Sequence, residues 1–317
     1  MPKPDFFIVG APKCGSTALF RYLQEHPEIY LPKKEFHHFG RDLRPAHFTG
    51  RQWDRAVYLA LFDGATTEKR IGEASIWYLY SREAACEIKR FAPEADIIIT
   101  LRNPVEMMYS LYSEFLWLRD LTPNGVIDAE TGRVLSFEEA LRTQDARKAA
   151  FQNAVDDEAL AGKRVRRLFH TDAARYPDQV QRYFEVFGRE RVLVILFDDL
   201  MADAAGVYER MLRFLGVDVS YRADFRVVNS NRNVRNMRLH RLLHDHGSME
   251  RLRRVGRAMV PVGLRKRVFG LLDQTNVQHR ARPPMKPETR AALTEVFRPD
   301  VERLSALLNQ DLVARWL

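Results

Sequence analysis

A short apolar run, Phe6-Phe7-Ile8-Val9, ends in Gly10, and a segment of helical spacing, Thr17 to His26, follows it after a tight loop. No other stretch restricts the fold as strongly. A continuous apolar run of this length reads as a strand buried on both faces, the kind a parallel sheet contains. Such a sheet needs crossover helices. The connecting loop, Gly10-Ala-Pro-Lys13-Cys14-Gly15-Ser16-Thr17, carries the chain from strand to helix N-terminus. That place offers backbone N–H groups and the positive end of a helix dipole to an anion.

The loop nearly fits the phosphate-loop pattern G-x-x-x-x-G-K-[ST]. Ser16 stands where that pattern has its lysine, and Lys13 lies inside the loop instead. No apolar strand ends in an aspartate suited to magnesium. The spacing therefore favours a phosphate-chain site without a metal-dependent γ-phosphate pocket. On these residues alone, a plain strand–turn–helix, a P-loop nucleotide kinase or NTPase, and a non-catalytic nucleotide-binding protein all stay open.

Asp96 to Leu101 reads as a second buried strand and Arg191 to Phe197 as a third, with Ile71 to Ala74 a weaker candidate. Pro104 is placed to open a helix whose apolar face includes Met108, Leu111, Tyr112 and Phe115. A helix over Pro177 to Phe187 stops at Gly188, and Ser136 with Glu139 forms a capping box. Residues 119–135 read as a loop. Strands alternating with helices predict an α/β fold, a P-loop-like parallel sheet with helices on both faces. A single domain over 1–317 is expected.

Arg102 ends the second strand, and Ser110 lies on the next helix. In an open parallel sheet, ligands sit beyond the carboxyl ends of the strands, so Arg102 would share a crevice with the first loop. Its guanidinium suits bidentate phosphate binding.

Together these segments resemble the sulfotransferases that use 3'-phosphoadenosine 5'-phosphosulfate (PAPS). Phe7 to Thr17 is similar to their 5'-phosphosulfate loop, and Ile99-Thr-Leu-Arg-Asn-Pro104 with Ser110 to their 3'-phosphate motif. Arg191 to Leu200, Arg213-Phe-Leu-Gly216 and the run from Arg282 to Trp316 resemble the rest of the family pattern. Pro32-Lys-Lys-Glu35-Phe-His37-His38-Phe39 points to the heparan-sulfate-type branch and its bacterial relatives.

The resemblance implies a fold, a reaction and roles. Glu35 is the general base, with His37 in support and His37 or His38 the rival base. Lys13 is the catalytic cation and also binds the donor with Cys14, Gly15, Ser16 and Thr17. Arg102, Ser110, Tyr176 and Arg232 contact the nucleotide. Glu73-Ala74-Ser75 departs from the branch, which carries a lysine at the position of Ala74. That weakens the expectation of a heparan-like acceptor. The implied reaction moves a sulfuryl group onto a hydroxyl, less readily an amine, with no metal.

A net charge of +8 favours anionic partners. Much of it lies between Arg232 and Arg267, where leucines, valines and Met259 interleave with arginines. The segment 232–270 reads first as a solvated basic helix packed on the domain, and is also a candidate lid or subdomain, or a peripheral contact with an anionic membrane. No nucleic-acid reader motif accompanies the charge, so no nucleic-acid partner is expected. A small-molecule, lipid or carbohydrate acceptor is expected, its wall drawn from 36–60 and 112–175. Trp77, Tyr78 and Tyr80 are core or cleft wall. Phe6 to Gly10 is too short for a signal-peptide core or a membrane span, which predicts a cytoplasmic protein. Arginine-heavy composition without a Golgi-type anchor suggests a bacterial one. Cys14 and Cys86, the only cysteines, predict two free thiols, one in a loop and one in a helix.

Overall fold

The computed structural model describes residues 2–43, 54–118, 126, 128, 131, 133–146, 149, 170–225, 232–234, 277–279 and 283–317. Its centre is a five-stranded sheet of β1 (Phe6–Gly10), β2 (Ile29–Tyr30), β3 (Arg70–Ala74), β4 (Asp96–Leu101) and β5 (Val192–Leu196). The order is β2-β3-β1-β4-β5, and every pairing is parallel.

Both faces of the sheet are covered, as the unbroken apolar strands require. Alternate residues go to opposite sides. Phe7, Val9, Ile97 and Ile99 enter one core, and Phe6, Ile8, Ile98 and Ile195 enter the other. α1 (Ser16–Gln24) and a later helix, Ala204–Leu215, pack on the second side through Leu19, Leu23, Met211 and Leu212. The first side receives α2 (Arg55–Ala60), α3 (Ala84–Phe91), α4 (Pro104–Leu118), Tyr176–Phe187 and Pro287–Leu308. Met108, Leu111, Tyr112 and Phe115 on α4 are all buried, as the 3.6-residue spacing predicts.

The differences from the expected boundaries have local causes. α1 starts at Ser16 because Gly15 takes φ 88° and breaks the strand direction there. The third strand is shorter than Arg191 to Phe197. Arg191 closes a 3-10 turn and bonds the Glu94 carbonyl, and Phe197 opens a helix over Phe197–Ala202. The weak candidate at Ile71 to Ala74 is the strand paired to β1. Gly188 ends its helix at φ 84° and the Ser136–Glu139 capping box is present, as expected. Cys14 is a buried loop thiol and Cys86 an exposed helical one, both free. Arg232–Val234 pairs antiparallel with Val277–His279, and the rest of 232–270 lies outside the described residues. Among the described residues, no helix is long and apolar enough to cross a membrane.

Candidate active site

The carboxyl ends of β1 and β4 bring the first loop, Arg102 and the 34–39 segment to one edge of the sheet. Thr100 donates to the Gly10 carbonyl at 3.0 Å, and the Ala11 N–H bonds the Thr100 carbonyl at 2.6 Å, which ties the loop to β4. Gly15 is obligatory. At its left-handed φ, an added Cβ would lie 2.6 Å from Leu200 Cδ2 and 3.1 Å from Phe197 Cδ2. No side chain caps α1, so the dipole and first N–H groups of the helix have no side-chain acceptor.

Four non-glycine residues among those described have positive φ: Lys13, Glu35, His37 and Asn309. Asn309 caps a helix, where such a conformation is common. The other three are residues that the sequence motifs place at the site. Sparse backbone conformations persist only where surroundings hold them, and they gather at functional sites.

Glu35 and His37 meet directly, His37 Nε2 lying 3.0 Å from Glu35 Oε2. The Glu35 N–H bonds the Ala74 carbonyl at 2.7 Å, which fixes the segment to β3. Burial would raise the Glu35 pKa. The His37 hydrogen bond and charge, the nearby Lys34 ammonium and the Ile76 N–H outweigh it and hold the carboxyl below the ordinary value. His38 is directed elsewhere, its ring stacked on Tyr58 at 4.0 Å.

Beneath this segment lies Glu73, fully buried in β3. Its carboxylate accepts from the hydroxyls of Tyr58, Tyr78 (2.7 Å) and Ser75 (2.7 Å). Burial pushes its pKa up, against the pull of those three donors. The same hydroxyls receive backbone N–H groups from above. His37 donates to Ser75 at 3.1 Å and His38 to Tyr78 at 2.8 Å. Tyr78 is therefore core, as is Trp77, while Tyr80 is half-buried.

Lys34 joins the two halves of the site. Its ammonium lies 3.2 Å from Ser16 Oγ, 3.0 Å from Thr17 Oγ1 and 3.6 Å from Glu35 Oε1. Lys13 is engaged by Glu114 of α4. Arg102 stacks on Phe197 at 4.5 Å and lies 3.6 Å from Glu106. Phe197 thus stands between Arg102 and Gly15. Tyr176 packs against the Cys14 thiol and the Arg102 main chain, and its buried hydroxyl completes a hydrogen bond with neither. Burial pushes the Cys14 thiol up to about 12 despite Arg102, Tyr176 and Lys13, so it stays protonated and is no nucleophile. Ser110 is buried on α4. The strand carrying Arg232 runs beside α4, and the Arg232 side chain lies outside the described residues.

The sequence alone does not mark Lys34, Glu73, Glu114 or Phe197 as site residues. Lys34 directly precedes Glu35, and Glu114 follows Ser110 by one helical turn, so adjacency was the available signal. Of the expected acceptor wall, residues 44–53, 119–125 and 150–169 lie outside the described residues.

The model of the sulfotransferase domain family matches residues 3–304. The chain is 27% identical over 214 residues to human heparan sulfate glucosamine 3-O-sulfotransferase 6, covering 68% of this chain and 52% of that protein. It is 25% identical over 254 residues to mouse carbohydrate sulfotransferase 15, covering 68% and 44% respectively. The chain thus spans about half the length of these curated relatives. A crystal structure of a sulfotransferase from Alicyclobacillus acidocaldarius superimposes with a TM-score of 0.68 at 31% identity, covering 99% of each chain.

Proposed function

The chain belongs to the sulfotransferase family, and from that premise we propose that it moves a sulfuryl group from PAPS onto a hydroxyl, less readily an amine. The acceptor class is a small molecule, lipid or carbohydrate. One observation carries the reading: the Glu35 carboxylate, paired with His37, faces the uncapped N-terminus of α1 across a single side chain, Lys34. A carboxylate beside an anion-binding helix end is what transfer from an activated phosphate needs.

The residues fit such a donor. The uncapped helix and a Gly15 with no room for a Cβ make a cradle for a phosphate. PAPS, when bound, supplies an activated sulfur–oxygen bond to its phosphate. The N–H groups of Gly15, Ser16 and Thr17 hold that phosphate. Lys13 exchanges Glu114 for the incoming anion and neutralises charge growing on the bridging oxygen. Arg102 and Ser110 hold the 3'-phosphate, and Tyr176 and Arg232 border the nucleotide. Glu35 takes the acceptor proton while His37 orients the carboxylate. The protein's contribution is positioning and charge, as in phosphoryl transfer, and no step calls for a metal.

The test is transfer of labelled sulfuryl from PAPS to a panel of hydroxylated acceptors, followed against pH. Because the Glu35 pKa is lowered, the base is already ionised well below neutrality. The acid limb of kcat/KM is expected below the ordinary glutamate value of about 4.3. A limb near the ordinary histidine value of about 6.5 moves the base to a histidine, and no transfer to any acceptor contradicts the reading. The sign for stability is the same. The Glu35 contribution is present above its unfolded pKa and is lost as the pH falls through the lower folded one.

A further inference from the structure

We propose that Lys34 is a further catalytic residue, its ammonium contacting the sulfuryl oxygens of the donor; this rests on the PAPS reading above. A sulfuryl group in flight must lie between the phosphate at the α1 N-terminus and the acceptor oxygen at Glu35. Lys34 Nζ touches both boundaries of that gap, at 3.2 and 3.0 Å from the Ser16 and Thr17 hydroxyls and 3.6 Å from Glu35.

The side chain is held there at both ends. Its backbone forms a parallel bridge with Ala74, and its ammonium lies 6.0 Å from the centre of the Phe20 ring. Ala74, the bridge partner, brings no cation, so Lys34 is the cation at this register. The side chain is only 15% exposed, and burial lowers its pKa while the Glu35 charge opposes the shift. A partly desolvated ammonium is a stronger partner for an anion than a solvated one. Lys13, by contrast, is turned to Glu114 on α4.

In the step itself, the acceptor oxygen forms a bond to sulfur as the bond from sulfur to the bridging phosphate oxygen breaks. The acceptor proton passes to Glu35, and 3'-phosphoadenosine 5'-phosphate (PAP) leaves with the electron pair. Lys34 keeps its proton throughout and donates hydrogen bonds to oxygens that carry charge in a loose transition state.

PAP lacks the sulfuryl group, so the pair PAP and PAPS separates this role from phosphate binding. Titration calorimetry of wild type should give tighter binding of PAPS than of PAP. Lys34→Met is expected to weaken PAPS by about tenfold or more, the usual size of a charge-assisted contact, with a much smaller change for PAP. Lys34→Gln also removes the charge, so either variant that folds serves, and Lys34→Arg should retain most of the preference. Equal loss for both ligands, or no loss for either, overturns the role of Lys34 and leaves the donor reading standing. Failure of wild type to bind either nucleotide overturns the donor reading and this inference with it.

Discussion

Glu35→Gln is expected to lower the rate of sulfuryl transfer by about 10²–10⁴-fold, the usual contribution of a general base. PAP affinity should stay within a few-fold of wild type. The amide keeps the size of the carboxylate and can still bond His37, which sits 3.0 Å away. It cannot take a proton at neutral pH. The loop proposed to hold the donor phosphate is built from other residues and is tied to β4 by Thr100 rather than by Glu35. Rate and binding should therefore separate. Near-wild-type transfer by the variant would move the base elsewhere. A joint loss of transfer and PAP binding would assign Glu35 to the donor site rather than to proton transfer.

The second large effect is on stability. Glu73→Ala should cost roughly 3–5 kcal/mol, because it strands three buried hydroxyl donors and leaves a cavity. Tyr58, Tyr78 and Ser75 all direct their protons at this carboxylate, which is 0% exposed. A drop in Tm on the order of 10 °C follows. Transfer should fall as well, since Ser75 and Tyr78 anchor the N–H groups of His37, His38 and Phe39. The buried carboxylate thus holds the 37–39 segment from below. A melting temperature within a degree or two of wild type would mean that the three hydroxyls find other partners.

The sheet was readable because its strands are unbroken apolar runs, and two of them end in the residues that make the site. Phe6 to Gly10 and Asp96 to Leu101 needed no tertiary knowledge. β2 is two residues long and carries no period, so only its pairing with β3 makes it a strand. The site was half legible. Gly15, Glu35 and His37 stand in motifs whose backbone geometry proves unusual, with φ values of 88°, 67° and 51°. The partners of those residues were hidden, because contacts across the sheet leave no spacing rule. Lys34 reaches Ser16 and Thr17 across 17 to 18 positions, and Lys13 meets Glu114 across 101. Glu73 stands in the sequence as part of Glu73-Ala74-Ser75, with nothing there to show the tyrosines that satisfy it. Phe197 continues the apolar run of the third strand in the sequence, yet it opens a helix and stacks under Arg102.

On this proposal, the first loop and Arg102 form a site for a nucleotide bearing a 3'-phosphate. Titration calorimetry of PAP against magnesium-ATP tests it most directly. The expected result is tight binding of PAP, little of ATP, and loss of the PAP signal in Lys13→Ala and Arg102→Ala. A preference for magnesium-ATP, or binding of neither nucleotide, would contradict it.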